Sequence, residues 1–468
     1  MAASTVTAAE AWWREPPEWG IQPVPSALRQ LRRWDVGVLW WNLGISLLVL
    51  VAGALLVPGL GLRDAVAATA VGALLGNLLL GIAGYIGGRT GLPGMVLLRA
   101  PMGVRGSYAP TALNILQNIG WGAFELIIIA TAAHEISRRL FGVSAYGFWV
   151  VLFGAICTLM AVGGPLVVVR RWIGRYAVWL VLLSTAYLSW YAVTRFDLRT
   201  LWGKPGDGSL PFWLGVDLVV AMPISWIPLA ADYTRFARRS RDAFWGTAAG
   251  YAIAHVWFYV LGAVFLLSLQ AKDLVQAVLA IPAGGLALLI LLVDETDEAF
   301  ANVYSTSVSL QNLFPRASQR ALAAGVGALC TALAATIPLA QYESFLFLIG
   351  AFFVPLFGVL AADYFVIRRR RYEADDLATS SPRTTSRGVR WRAVLVWAVG
   401  FALYQWIAPT DIPGWKVALA VLAGAAGVPF PLSGALPWLG ASLPSFLAAF
   451  VLHCLFGRGE VSAQPIWR

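Results

Sequence analysis

Long apolar runs divide the chain into regular blocks, and short polar segments separate them. Most runs are close to the roughly 20 residues that an α-helix needs to cross a bilayer core of roughly 30 Å. The pattern therefore predicts an all-α, polytopic membrane protein with about twelve transmembrane helices. The predicted spans are 35–58, 65–88, 107–133, 145–168, 172–194, 211–231, 243–269, 281–313, 319–337, 341–366, 391–408 and 436–456.

A weaker apolar run follows the eleventh span, with the sequence WKVALAVLAGAAGV at 415–428. It is too short to cross a bilayer comfortably, and a proline-rich stretch comes after it. It is either a re-entrant piece or an extra short helix.

Composition agrees with a membrane environment. Hydrophobic residues make up 59% of the 468 residues, charged residues 12%, and the mean hydropathy is +0.72. Such a chain has too little polar surface to cover a soluble globule of this size. Its solvent is therefore expected to be lipid.

Basic residues follow the positive-inside rule. Of the 34 Lys and Arg residues, 26 fall in alternate segments that lie on one side of the membrane in the twelve-span topology. The net charge of +10 thus reflects topology rather than a nucleic-acid partner. We expect a multi-pass protein of the plasma (inner) membrane with both termini in the cytoplasm.

The predicted organisation follows from these spans. Residues 1–33 form a cytoplasmic tail without the features of a signal peptide, and the polar stretch after the tenth span forms a solvated cytoplasmic loop. The predicted units are 1–33 (tail), 34–194 (first repeat, five spans), 211–367 (second repeat, five spans), 368–390 (loop), 391–456 (two C-terminal helices) and 457–468 (tail).

Two spans carry helix-breaking residues at mid-depth. The first contains Asn42, Leu43 and Gly44, and the sixth contains Pro223 and Pro228. Gly and Pro also serve for close packing and simple kinks in membrane helices. Their matched positions, five helices apart, instead favour a five-plus-five inverted repeat whose first helices are unwound and offer free N–H and C=O groups to substrate and cation.

The third span carries a polar stripe. Gln117, Trp121 and Glu125 are spaced at i, i+4 and i+8 and lie on one helical face. An unpaired acid at mid-depth costs on the order of 3 kcal/mol, so Glu125 should face water, a partner or a ligand. Trp121 alone is commonly a core or interface residue, but beside Glu125 it can stack on a flat ring while the carboxyl binds the edge of that ring.

The eighth span has acids near its middle and no Lys or Arg to neutralise them. A helix that turns these acids, Thr296 and Asn302 towards an aqueous or ion-binding cavity explains the pattern. Hard oxygen ligands suit Na⁺, whereas a carboxyl group can alternatively carry a proton, and the sequence does not choose between them. The acids are Asp294, Glu295, Asp297 and Glu298.

The chain contains no P-loop, HExxH or GxSxG motif, and its three His residues show no metal spacing. These features weaken an enzymatic interpretation and suggest no cofactor. A purely structural membrane protein would have no use for acids at mid-depth.

Several sequence blocks in order resemble the nucleobase:cation symporter-1, or cytosine/purine permease, family, and within it the hydroxymethylpyrimidine transporters. The resemblance extends from Trp19 to about Arg371. The blocks that carry it are WGIQPVP, TGLPGMVLLRAPMGVRGSYAP, NILQNIGWGAFE, SWIPLAADYTR, VDETDEAFANVYS and PLFGVLAADYF. Members of that family have the five-plus-five inverted-repeat fold.

The resemblance implies a site. A substrate ring would lie between Trp121 and Trp226, with Glu125 reading its edge. A sodium ion would lie between the unwound first helix and the eighth helix, where Thr296 or, with a one-residue shift, Asp297 would bind it. The predicted substrate-binding residues are Gln117, Trp121, Glu125, Ser225, Trp226 and Asn302, and the predicted cation-binding residues are Asn42, Leu43, Gly44, Thr296 and Asp297.

The resemblance also implies a function: import of a nucleobase-like heterocycle by symport with Na⁺ or H⁺ through alternating access. An acid at position 125 suits an aminopyrimidine, which favours hydroxymethylpyrimidine, a thiamine precursor. The alternative is a permease for cytosine, a purine or an allantoin- or hydantoin-like ring. The expected partners are this small substrate and the lipid bilayer, without nucleic acid or an obligate protein partner.

Overall fold

The structure, a computed structural model, describes residues 20–163, 178–270, 274–337, 341–379, 386–410 and 414–458. Regular secondary structure in these residues is helical, apart from one isolated bridge between Leu31 and Ala237. The predicted all-α class is therefore confirmed.

Every predicted span coincides with a helix, and the first span contains two. Residues 164–168 and 172–177, at the ends of the fourth and fifth spans, lie outside the described part of the chain. The long helices are α1 (Arg33–Asn42), α2 (Leu47–Ala54), α3 (Leu62–Thr90), α4 (Tyr108–Phe141), α5 (Tyr146–Gly163), α6 (Val178–Arg195), α7 (Phe212–Thr234), α8 (Ser240–Leu269), α9 (Gly284–Leu313), α10 (Gln319–Ala334), α11 (Tyr342–Ala362), α12 (Trp391–Ile407), α13 (Trp415–Ala426) and α14 (Ser442–Phe456).

Several of the described helices are long and apolar enough to cross a bilayer. Six meet this criterion singly, and α1 with α2 adds a seventh when the bent pair is counted as one span. Helix α9 has the length, at 30 residues, but carries four acids in its middle. Length and composition thus agree with a multi-pass membrane protein that has one unusually polar helix.

The weak run near the C-terminus forms α13, a 12-residue helix between Gly414 and Gly427. Both glycines have positive φ, which favours glycine and ends the helix on either side. At 1.5 Å per residue this helix measures about 18 Å, shorter than the bilayer core. The segment is therefore the extra short helix rather than a thirteenth span.

The helices pack into two groups. Helices α1, α2, α3, α7 and α8 contact one another, and α4, α5, α9 and α10 form the other group. Helices α11, α12 and α14 pack together on the outside of the first group through α7. Contacts between the two groups are few and centre on α2, α4, α7 and α9.

Packing within the groups has the exchange symmetry of two repeats. The second span packs on the sixth (α3 on α7), and correspondingly the first packs on the seventh (α1 on α8). The third packs on the ninth (α4 on α10), and the fourth packs on the eighth (α5 on α9). In each of these two pairs, exchanging spans one to five with six to ten turns one contact into the other, as a five-plus-five fold requires.

The two spans that were predicted to be interrupted, the first and the sixth, behave differently. The first is interrupted between α1 and α2, whose axes differ by 61°. The prediction of a second interruption is wrong, because α7 runs unbroken through Pro223 and Pro228. Helix α7 is almost wholly buried, and the hydroxyls of Ser225 and Tyr259 donate to its carbonyls at 2.6 and 3.2 Å. Proline is tolerated inside a membrane helix that neighbouring helices bury on all sides, so α7 continues through both positions.

The segment before α1 is docked rather than free. Val24 N donates to the carbonyl of Gly91 at 3.0 Å, and Arg29 donates to the carbonyl of Thr90 at 3.2 Å, both at the end of α3. The guanidinium of Arg235, just after α7, donates to the carbonyl of Gly20 at 2.7 Å. Residues 20–31 therefore connect the ends of α3 and α7, whereas residues 1–19 lie outside the described part.

The loop after α11 is also less solvated than the sequence predicts. Ser386 and Gly388 accept hydrogen bonds from the backbone N–H groups of Val104 and Arg105 at 2.9 and 3.2 Å. Arg390 is buried and donates to the carbonyl of Ala100 at 2.7 Å. This part of the loop therefore forms hydrogen bonds with backbone groups in the segment between α3 and α4, so the predicted loop has a packing role.

Close packing of α2 on α8 provides a test of the first group. A Cβ atom at Gly53 would overlap the backbone of Tyr259, and one at Gly424 of α13 would meet no atom within 4 Å. We expect Gly53→Leu to cost at least about 1–3 kcal/mol of stability through overpacking. The melting temperature of purified protein should fall, while Gly424→Leu should leave it unchanged; equal melting temperatures would contradict this packing.

Candidate functional site

The interruption of the first helix is the structural centre of the site. Ser46 caps α2, and its hydroxyl oxygen accepts from Leu48 N at 3.1 Å. Glu295 of α9 accepts from Leu47 N and from the Ser46 hydroxyl. Because lipid offers no partners to exposed backbone N–H groups, these two side chains are what permit α2 to begin inside the membrane.

A small cavity lies beside this interruption, between the two helix groups. It has about 260 Å³ of empty space. The lining combines two indole rings with four polar side chains, the kinds of group that small-molecule sites use. The lining residues are Ser46, Leu48, Val49, Trp121, Met222, Ser225, Trp226, Glu298 and Asn302.

Trp121 supplies one aromatic wall of the cavity. Its ring lies edge-to-face against Tyr342 and Phe345, with ring centroids 5.7 and 5.3 Å apart. These contacts fix its orientation. The indole Nε1–H is buried and has no hydrogen-bond partner among the described residues. A donor is thus available to a ligand at the cavity.

Trp226 supplies the facing aromatic wall. It lies edge-to-face against Trp40 at 5.8 Å and Tyr251 at 6.4 Å between ring centroids. These rings come from α1, α7 and α8, so the wall belongs to the first helix group. Trp121 belongs to the second group, which places the cavity at the boundary between the groups.

Gln117 connects the two groups beneath the cavity. Its Nε2 donates to the backbone carbonyl of Ser225 and to Asn114 Oδ1, both at 2.9 Å. The Ser225 hydroxyl donates to the carbonyl of Met222 at 2.6 Å. Gln117 is therefore a brace between α4 and α7 rather than part of the lining.

Asn302 contributes to the lining from α9, in the second helix group. Its Nδ2 donates to the backbone carbonyl of Glu298 at 3.2 Å. Helix α4 packs against α9, and Asn302 lines the same cavity as Trp121.

Three carboxyl groups meet behind the cavity. Oxygen atoms of Glu125, Glu295 and Glu298 all lie within 4.8 Å of one another. Their residues are 0, 1 and 5% exposed. Glu298 lines the cavity and Glu295 binds the start of α2, so this carboxyl cluster joins the cavity to the helix interruption.

The predicted cation-binding residues are only partly brought together. Asn42, Leu43 and Gly44 form the interruption, where no described residue donates a hydrogen bond to the carbonyls of Leu43 and Gly44. The Thr296 hydroxyl instead donates to the carbonyl of Val293 in its own helix at 2.6 Å. Asp297 lies in α9, but its side chain is outside the described part, and the predicted cation site stays a prediction.

Sequence reasoning left two cluster members unassigned. Glu295 and Glu298 were expected, with the other acids of the eighth span, to face an aqueous or ion-binding cavity, but they were not among the predicted ligands. Their spacing to Asn302, at i, i+3 and i+7, indicates one face of α9 and could have identified them. Tyr342 and Phe345, which orient Trp121, lie in a span to which the sequence analysis assigned no site residue.

Two aspartates lie at helix ends away from the cavity. Asp232 Oδ1 accepts from Gly94 N at 2.9 Å. Asp363 accepts from Arg368 Nε at 3.1 Å and from the Tyr372 hydroxyl at 2.8 Å. Both hold loops against helix ends, which is a structural role.

Comparison with known proteins gives a family match over most of the chain. A family model described as permease for cytosine/purines, uracil, thiamine and allantoin matches residues 23–427. The hydantoin permease of Microbacterium maritypicum is 26% identical over 405 residues, 81% of this chain and 82% of that protein. The cytosine permease of Escherichia coli strain K12 is 28% identical over 368 residues, 75% of this chain and 80% of that protein.

Solved structures share the fold. Mhp1, described as a nucleobase-cation-symport-1 family transporter in a closed conformation with bromovinylhydantoin bound, has a TM-score of 0.78 at 22% identity. The match covers 96% of this chain and 97% of Mhp1. A Na⁺-coupled sialic acid symporter has a TM-score of 0.60 at 14% identity, covering 94% and 92% of the two chains. These matches confirm the predicted inverted-repeat transporter fold.

The cap at the start of α2 can be tested by its effect on stability. Ser46→Ala removes the hydroxyl that accepts from Leu48 N, and such losses cost about 0.5–2 kcal/mol. Ser318 is a matched control, because it precedes α10 at the same cap position without a side-chain capping bond. We expect a lower melting temperature for Ser46→Ala and none of this loss for Ser318→Ala. Equal losses in both variants would contradict the capping role.

Proposed function

We propose, from the premise that the chain belongs to the nucleobase:cation symporter-1 family of permeases for cytosine/purines, uracil, thiamine and allantoin, that it imports hydroxymethylpyrimidine by cation symport. As a permease, it is a membrane transporter and not an enzyme. The substrate class of a small nucleobase-like molecule follows from the family. The particular ring, the coupling ion and the orientation in the membrane are parts of the proposal.

The observation that carries the proposal is the cavity and its polar groups. Two indole rings line the cavity, and flat rings stack well on aromatic side chains. Glu298 on the lining offers carboxyl oxygens, which accept hydrogen bonds from an amino group. The free Nε1–H of Trp121 is a donor for a ring nitrogen or hydroxyl. This pattern suits a 4-aminopyrimidine.

The structure changes which acid is proposed to bind the edge of the substrate ring. Glu125 was expected to read it, but Glu298 lies on the lining and Glu125 lies behind it, within 4.8 Å. In the proposal Glu298 accepts from the amino group, and Glu125 supports it. Cytosine presents the same amino group beside a ring nitrogen and is therefore the main alternative, followed by purines and allantoin- or hydantoin-like rings.

Alternating access is supported by the position of the cavity. Its lining comes from α2 and α7 of the first group and from α4 and α9 of the second. Few contacts join these groups elsewhere. Rocking of one group against the other would open the cavity to each side in turn. The positive-inside pattern supports the proposed inner-membrane orientation with cytoplasmic termini.

Uptake into proteoliposomes tests the proposed function. Labelled hydroxymethylpyrimidine and cytosine should be offered with an inward Na⁺ gradient, a proton gradient or neither. We expect accumulation of hydroxymethylpyrimidine that depends on one gradient and persists in excess cytosine. Cytosine uptake that hydroxymethylpyrimidine does not inhibit would favour the alternative, and uptake of neither would overturn the assignment to these aminopyrimidines.

The stacking role of Trp121 gives a separate prediction. Stacking of a base on an aromatic side chain contributes about 1–3 kcal/mol, so Trp121→Ala should weaken substrate binding roughly 5- to 150-fold. Trp391→Ala is the control, because Trp391 is exposed at the start of α12, away from the cavity. Competition binding to the purified variants measures the substrate affinity of each. An unchanged affinity in Trp121→Ala would remove this residue from the site.

A further inference from the structure

We propose that Glu125, Glu295 and Glu298 together bind one hard metal cation of the size of Na⁺ or Ca²⁺. This site differs from the predicted one, which uses the backbone around Asn42–Gly44 and the side chain of Thr296 or Asp297. The inference rests on the proposed cation symport and assigns that coupling ion a set of ligands.

The geometry of the carboxyl cluster fits such an ion. Oxygen ligands lie 2.3–2.6 Å from Ca²⁺, and Na⁺ has a similar radius. Two ligands on opposite sides of an ion at about 2.4 Å are about 4.8 Å apart. The oxygens of all three glutamates lie within 4.8 Å of one another, so a single ion can contact all of them.

The charge of the carboxyl cluster calls for a cation. Each of the three residues is at least nine-tenths buried. A buried carboxylate without a compensating charge costs several kcal/mol. Helix α9 contains no Lys or Arg, and the basic residues of α4 are Arg138 and Arg139, more than three turns beyond Glu125. Within the described residues neither Glu125 nor Glu295 forms an ion pair with a basic side chain.

Unpartnered polar atoms from two other helices face the pair on α9. Glu125 projects from α4 and is fully buried, and neither of its carboxyl oxygens accepts a hydrogen bond from another described residue. The Tyr251 hydroxyl of α8 is buried and also lacks a hydrogen-bond partner in the described chain. Its ring packs edge-to-face against Trp226, which lines the cavity beside the carboxyl cluster. Carboxyl oxygens from α4 and α9 thus meet at one point, and hard cations prefer oxygen ligands.

The position of the carboxyl cluster gives the ion a direct means of coupling. Glu295 binds the first N–H group of α2, and Glu298 lines the substrate cavity. An ion held by both would fix the interrupted helix and the cavity wall in one arrangement. Substrate and ion would then favour the same conformation, which is the thermodynamic requirement for coupled binding.

Cation binding can be measured on purified wild-type protein in lipid nanodiscs, without substrate and at constant pH and ionic strength. The melting temperature should rise saturably with NaCl or CaCl₂, relative to choline chloride, and less with KCl or MgCl₂, whose ions differ in size. Equilibrium dialysis with ²²Na⁺ or ⁴⁵Ca²⁺ should give about one ion per chain, and the two arms identify which ion binds.

Variants assign the ion to the carboxyl cluster. Glu125→Gln should weaken ion binding at least 10-fold, and Glu343→Gln, which alters an exposed acid of α11 outside the cluster, should not. Glu125→Asp, which retains the charge, guards against a folding defect in the first variant. Identical melting temperatures in all salts, a response to pH alone, or full ion binding by Glu125→Gln would each overturn the inference. The ion-binding measurements use no substrate, so their outcome does not depend on the outcome of the uptake experiment.

Discussion

A helix that begins inside a membrane must find partners for its first N–H groups, and the rest of this site follows from how that requirement is met. The start of α2 relies on Ser46 and Glu295. Glu295 must therefore lie on the face of α9 that points at the interruption, and the helical period then carries Glu298 and Asn302 to the same side. Helix α4 packs along α9 and adds Glu125 to the carboxyl cluster and Trp121 to the cavity lining. Substrate cavity, carboxyl cluster and interrupted helix are thus consequences of one packing arrangement.

Much of the fold was predictable because a bilayer imposes a length on every crossing. Each predicted span coincides with a helix, and the interruption at Asn42–Gly44 was correctly located. The second predicted interruption failed at Pro223 and Pro228. Proline removes a donor, but whether the helix then breaks depends on the helices packed around it, and α3 and α11, which pack against α7, lie far away in sequence. Local sequence cannot contain that information.

The candidate site was predicted unevenly, for a similar reason. Trp121, Ser225, Trp226 and Asn302 all reach one cavity, as the resemblance to the permease family implied. Gln117 was correctly placed on the stripe, but its amide binds the backbone of α7 instead of facing the ligand space. The acids of the eighth span were visible as a group. Which of them point inward depends on the rotation of α9 about its axis, and that rotation is set by packing against α4.

The docked segment at residues 20–31 has a consequence for how motion is distributed. It is tied to the end of α3 at Gly91 and Thr90, and to the residue after α7 through Gly20 and Arg235. Helices α3 and α7 belong to the same group, so the bonds to Gly91, Thr90 and Arg235 stiffen that group at its surface. Gly20 also lies beside the side chain of Gln311 of α9, in the other group. In the proposed rocking step the segment would therefore travel with the first group, and its contact with Gln311 would have to slide or break.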